Sequence, residues 1–63
     1  MIVNGQVVDT SLSSLTQVLS FLQLPERGIA IARNGVIIPK SQWDSVTLTD
    51  DDVIDVVTAA AGG

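Results

Sequence analysis

Ile29-Ala30-Ile31-Ala32-Arg33-Asn34-Gly35-Val36-Ile37-Ile38-Pro39 is the stretch that decides the fold class of this protein. Two largely apolar runs flank an Asn-Gly dipeptide, whose residues accept the positive φ angles of a type I′ turn. The twist of that turn matches the strands on either side, so the segment reads as a β-hairpin, and Pro39 closes its second strand. Asn4-Gly5 repeats the signal between Ile2-Val3 and Val7-Val8 and predicts a second hairpin. Turn chemistry alone explains the likeness of the two segments, with no need for an internal repeat.

Between the hairpins, Leu12, Leu15, Val18, Leu19 and Leu22 recur at helical spacing and form one apolar stripe. Ser14-Leu15-Thr16-Gln17 fits a capping box, with the Ser14 hydroxyl on the Gln17 amide and the Gln17 side chain reaching back. Pro25 pushes Leu24 out of the α region, so the helix is expected to run from about Leu15 to Leu22. After Pro39, Ser41-Gln42-Trp43-Asp44 reads as a short turn or a single 3-10 turn. Thr49-Asp50-Asp51-Asp52 is a further turn, rich in residues that bond their own backbone. Val53-Ile54-Asp55-Val56-Val57-Thr58 is the last strand, and its near-continuous apolar character fits a central position with partners on both sides. The order is ββαββ, a short 3-10-like crossing, then β. One helix must therefore cover one face of a mixed sheet, the α+β plan called β-grasp or ubiquitin-like. The domain is expected to span residues 1–58, followed by a flexible tail over residues 59–63.

Composition excludes several classes of function. A protein of 63 residues supports one thin core and leaves little room for a buried catalytic cavity. It has no Cys, hence no disulfide framework and no thiolate metal site. It has no His, which removes Ser-His-Asp and Cys-His catalysis and the commonest zinc ligand. Neither catalytic residues nor a metal site are expected. Three basic residues, Arg27, Arg33 and Lys40, against seven acidic ones give a net charge of −4, which argues against a nucleic-acid-binding face. At 46% hydrophobic residues the chain is expected to fold. No apolar run approaches the ~20 residues of a membrane span, and Met1-Ile2-Val3-Asn4 does not resemble a signal peptide. A cytoplasmic protein with no membrane association, monomeric on its own, is the expectation.

The functional signal lies at the end, Ala59-Ala60-Ala61-Gly62-Gly63. The core needs none of these residues, and a frayed terminus is the plainest reading. The alternative uses what glycine lacks. Without Cβ, a Gly-Gly end threads a narrow tunnel and lets a partner's backbone approach closely. A free α-carboxylate at such an end is a substrate that ATP can activate as an acyl-adenylate.

The stretch Asn34-Gly35-Val36-Ile37-Ile38-Pro39-Lys40-Ser41-Gln42-Trp43, followed by Leu48, Asp50, Asp52 and an apolar strand leading to Gly62-Gly63, resembles the ThiS family. These are ubiquitin-like sulfur carriers of thiamine biosynthesis, and the resemblance extends over essentially the whole sequence. It implies that Gly63 is adenylated by an E1-like adenylyltransferase that uses ATP, with no cofactor bound by the carrier itself. Sulfur from a persulfide then displaces AMP, leaving a C-terminal thiocarboxylate that thiazole synthase uses to build the thiazole ring. Gly63 would carry the sulfur, Gly62 and Ala61 would give the tail its access, and the protein would be a co-substrate rather than an enzyme. The family usually has Asp-Gly-Asp before its last strand, where this protein has Asp50-Asp51-Asp52. Asp tolerates the left-handed region better than most residues, so the turn is expected to survive. Ala61 stands where a third glycine or another small residue is usual. Related readings are the small subunit of molybdopterin synthase, usually longer, and a ubiquitin-like modifier whose last glycine is joined to a lysine. A plain interaction module with an incidental tail is the reading outside this chemistry.

The remaining features have plainer readings. Asp50-Asp51-Asp52 lacks the alternation and the downstream Glu of a Ca²⁺ loop and is expected to be a solvated turn. Trp43 is expected to close one end of the core. Phe21 lies off the helix stripe and is expected to be partly exposed. Ser13, Ser14, Thr16 and Ser20 are caps and helix surface.

Overall fold

In the computed structural model, residues 1–8 and 11–58 are described. The elements are β1 (Ile2–Val3), β2 (Gln6–Val7), α1 (Leu15–Leu22), β3 (Ile29–Arg33), β4 (Val36–Ile38), a 3-10 turn (Lys40–Gln42) and β5 (Val53–Thr58). They form a five-stranded sheet in the order β2-β1-β5-β3-β4. β5 runs parallel to β1 and antiparallel to β3, and both hairpins are antiparallel, so the sheet is mixed with β5 at its centre. This is the α+β, β-grasp arrangement read from the sequence.

Both Asn-Gly turns take the expected backbone. Asn4 and Asn34 have φ of 51° and 52°, and Gly5 and Gly35 have φ of 82° and 84°. Each asparagine also reaches across to β5. The Asn4 amide N–H donates to the Ile54 carbonyl (2.9 Å), and Asn4 Oδ1 accepts from the Val56 N–H (2.7 Å). The Asn34 N–H donates to the Val53 carbonyl (2.8 Å), and its Oδ1 accepts from the Val53 N–H (2.9 Å). The two side groups thus carry the β-ladder past the points where the backbone turns away.

The helix has the expected bounds. Ser14 caps it, its hydroxyl accepting from the Gln17 N–H (3.3 Å). The Gln17 side chain reaches one residue further back than a capping box requires. Its Oε1 accepts from the Ser13 N–H (2.7 Å) and the Ser13 hydroxyl (3.0 Å). The helix closes on Gln23, left-handed at φ 60°, with the Gln23 N–H donating to Ser20 O and the Leu24 N–H to Leu19 O. That is a Schellman motif, built on a residue that is not glycine. Pro25 explains why the helix stops; the left-handed Gln23 shows how.

Leu15, Val18 and Leu19 of α1 pack with Val3, Ile31, Ile54 and Val56 of the sheet, and with Trp43 and Leu48, in one core. Trp43 closes this core as expected, 3% exposed, and its indole N–H donates to the Ile38 carbonyl (3.0 Å). Phe21 is half exposed, also as expected.

The acidic turn departs from a wholly solvated loop. Asp50 and Asp51 are exposed, but Asp52 is buried, at 4% exposure. Its Oδ2 accepts from Arg33 Nε (3.1 Å) and the Thr49 N–H (2.9 Å), and its Oδ1 from Asn34 Nδ2 (2.9 Å). A carboxylate leaves water at this depth only when such donors meet it. Asp51 does not adopt positive φ, so the missing glycine of the family pattern imposes no left-handed strain. The turn closes instead through the Asp52 N–H on the Thr49 carbonyl (3.2 Å).

Burial pushes the Asp52 carboxyl upward. The Thr49 N–H, the Asn34 amide and the Arg33 guanidinium together outweigh that effect and leave it below the usual carboxylate value. Because the folded value is the lower one, the unfolded state takes up the proton first. The stabilisation is complete above about pH 4 and is lost as pH falls through the folded value. In urea titrations across this range, Asp52→Asn should show a shallower acid decline than the parent protein. Asp52→Ala, which strands the Arg33, Asn34 and Thr49 donors, should lose about 3 kcal/mol at neutral pH.

Candidate functional site

Among the described residues, the structure carries no group of three or more His, Cys, Asp or Glu side chains placed to hold a metal ion. Buried side-chain nitrogen and oxygen atoms among them all have hydrogen-bond partners. No helix among them is long and apolar enough to cross a membrane. The residues singled out from the sequence, Ala61, Gly62 and Gly63, lie outside the described residues. The structure does show the strand from which they follow.

β5 is paired on both of its edges and is tied by side chains as well. Five of its residues, Ile54 to Thr58, pair with β3, and Val53 and Ile54 pair with β1. The Asn34 side chain binds its first residue and the Asn4 side chain binds Val56. Its final registered pair is Thr58 with Ile29. The strand therefore delivers the backbone to Thr58 on a rigid base.

Alternation along β5 separates two faces. Ile54 and Val56 enter the core, while Val53, Asp55 and Val57 point away from it. Strand pairing extends this outer face through Ile2 and Val7 on one side and Ala30, Ala32 and Ile37 on the other. No helix among the described residues covers it. Val57 is 61% exposed and Ile37 64%, and Asp55 is the one charged side chain on the face among the described residues. An apolar sheet face left open beside the last of the described strands is a surface suited to a protein partner. The motifs of the sequence do not single this face out. Its signal is the run Val53 to Val57, which is apolar on both parities although one helix can cover only one of them.

A family model described as the ThiS family matches residues 1–63. The crystal structure of a thiamine biosynthesis protein (ThiS) from Geobacter metallireducens superimposes with a TM-score of 0.76 at 27% identity, covering 98% of this protein and 96% of that one. A solution NMR structure of a thiamine biosynthesis protein from Geobacter metallireducens gives 0.78 at 27% identity, covering 98% and 85%. In sequence, an uncharacterized protein named ycf40 from Pyropia yezoensis is 29% identical over 62 residues, covering 97% of this protein and 87% of that one.

The division of β5 into two faces has a measurable consequence. Val57→Thr and Ile37→Thr keep a β-branched side chain on the open face and should each change stability by no more than about 0.5 kcal/mol. Ile54→Ala, on the buried face, should lose about 3 kcal/mol. Urea unfolding followed by Trp43 fluorescence measures both.

Proposed function

Since the chain belongs to the ThiS family, we propose that it is a sulfur carrier, with Gly63 as the group that is activated and loaded. The observation that carries this reading is the match over the whole length, Gly62-Gly63 included. In the proposed sequence a Gly63 carboxylate oxygen attacks the α-phosphate of ATP in an E1-like partner, and pyrophosphate leaves. A persulfide sulfur then attacks the acyl-adenylate carbonyl, and AMP leaves. Cleavage of the resulting acyl disulfide by a second thiol frees the thiocarboxylate, which passes its sulfur to thiazole synthase. The carrier has no Cys, so every thiol in the sequence of steps belongs to a partner.

The role assigned to the folded domain is that of a handle. Five residues follow Thr58, and fully extended they reach at most about 17 Å. A partner that holds Gly63 in its active site must therefore also rest against the domain close to the end of β5. The apolar outer face, with Asp55 in it, lies there. An apolar patch on a net-acidic domain fits a partner surface that is apolar and carries positive charge around it.

Removing Gly62 and Gly63 tests the reading. The truncated protein should keep the urea midpoint of the parent, because the core described above is built from Val3 to Val56. It should no longer support ATP–pyrophosphate exchange by the E1-like enzyme. Exchange at the parental rate would overturn the carrier assignment. Lysine-linked conjugates of the full-length protein in cell lysate would point instead to a protein modifier.

A further inference from the structure

The two Asn-Gly turns are alike in sequence and in backbone, yet their side groups are held differently. We propose that Asn4 is the site of spontaneous deamidation in the folded protein and that the structure protects Asn34. This inference concerns the folded domain alone and does not rest on the carrier reading.

Asn-Gly is the dipeptide most open to this chemistry, because glycine has no side chain to obstruct its own backbone nitrogen. Hydroxide takes the proton from that N–H, and the nitrogen attacks Cγ of the preceding asparagine. A new bond forms between this backbone nitrogen and Cγ. The bond from Cγ to Nδ2 breaks, and Nδ2 leaves as ammonia after taking a proton from water. Water then opens the succinimide at one of its two carbonyls, giving aspartate or isoaspartate. The net change is amide plus water to carboxylic acid plus ammonia, with no change of oxidation state.

The φ angles do not separate the two positions. Asn4-Gly5 has φ of 51° and 82°, and Asn34-Gly35 has 52° and 84°. Both asparagines are on the surface, so access for hydroxide does not separate them either. In both turns Oδ1 of the asparagine is tied to β5, and the residue must be released before the glycine nitrogen can come over Cγ. The rate is then set by the free energy of local opening.

Opening differs between the two turns. Asn34 is held at both ends of its amide, Oδ1 by the Val53 N–H and Nδ2 by the carboxylate of Asp52. Asp52 is itself buried and tied to Arg33 and Thr49, so the amide nitrogen that would leave from Asn34 is anchored to a carboxylate with two further donors on it. Asn4 is held through Oδ1 only, by the Val56 N–H, and its Nδ2 makes no hydrogen bond among the described residues. The supporting strands differ in the same direction. Asn34 joins β3, paired along its length with β5, to β4 over three registered pairs. Asn4 joins two strands of two residues each, over two registered pairs; both turns lead into an edge strand, so the difference lies in the length of the pairing.

The products differ too. A carboxylate at position 34 would face the Asp52 carboxylate where an amide now donates to it. At position 4 an aspartate still offers Val56 an acceptor. Isoaspartate does not, because it adds a carbon to the backbone of the turn and moves the acceptor. The Val56 N–H, two residues before the end of β5, then loses its partner.

The test uses the native protein. Trypsin separates the two asparagines into peptides 1–27 and 34–40. After prolonged incubation in mildly alkaline buffer, tandem mass spectrometry scores amide-to-acid conversion in each. Methylation by an isoaspartyl carboxyl methyltransferase counts the isoaspartyl product. Asn4 should convert at least about tenfold faster than Asn34 in the folded protein, the ratio given by a difference of about 1.4 kcal/mol in opening. In concentrated urea the two rates should converge to within about threefold, once no local structure separates them. Equal rates in the folded protein, a faster Asn34, or no conversion at Asn4 while the unfolded protein converts would each overturn the proposal. So would a contrast that persists in urea, since sequence context and not structure would then set it.

Discussion

A carboxylate taken out of water is the constraint on which the rest of this small fold depends. Asp52 has to be met by donors, and the three that meet it come from separate parts of the sequence: Thr49 in its own turn, and Arg33 and Asn34 at the end of β3. Its backbone carbonyl accepts from the Ile2 N–H, which brings in the start of β1 as well (3.0 Å). The residue that follows is the first of β5. Satisfying one buried charge therefore fixes where β5 begins relative to both of its neighbours. In a sheet with one covered face this matters greatly, since a slip of one residue would exchange Ile54 and Val56 for Asp55 in the core.

The two asparagines complete that arrangement. β1 and β2 are too short to define a register by ladder hydrogen bonds alone, and Asn4 lengthens the β1–β5 contact with a side-chain acceptor. Asn34 does the same at the start of β5 and joins its amide to Asp52. The residues that permit the turns are thus also the ones that attach both hairpins to the central strand. With a thin core and no disulfide, these polar attachments take a share of specifying the structure that a larger domain would leave to packing.

Much of this is legible in the sequence. Asn-Gly between apolar runs, the Leu15 to Leu22 stripe and the apolar run of β5 each give a local signal strong enough to name its element and, together, the fold class. The capping by Ser14 and the exposure of Phe21 follow from spacing in the same way, and the burial of Trp43 from its being the one large aromatic with no place on the helix. What escapes is long-range. Asp52 looks like its neighbours Asp50 and Asp51, because two of its three donors, the side chains that bury it, lie 18 and 19 residues away. Gln23 as a left-handed cap is hidden for a related reason: a residue without glycine's freedom is held there by the Leu24 bond back to Leu19. The open sheet face needs the pairing register before its members can be seen as neighbours. For the candidate site the sequence supplies the terminal residues, and the structure adds the strand that precedes them and the surface beside it.

The central position of β5 also decides how the domain bears a load. Tension applied at Thr58 along the strand pulls β5 lengthwise past β3 and β1, and the bonds that resist lie across the direction of pull. They are strained together and cannot be peeled one after another, as they could be if the last strand lay at the sheet edge. Gripping the backbone beyond Thr58 and drawing on it thus sets the domain in shear, the loading geometry in which a sheet is mechanically strongest. Force on β2 or β4, which have one neighbour each, would unzip the same sheet a pair at a time.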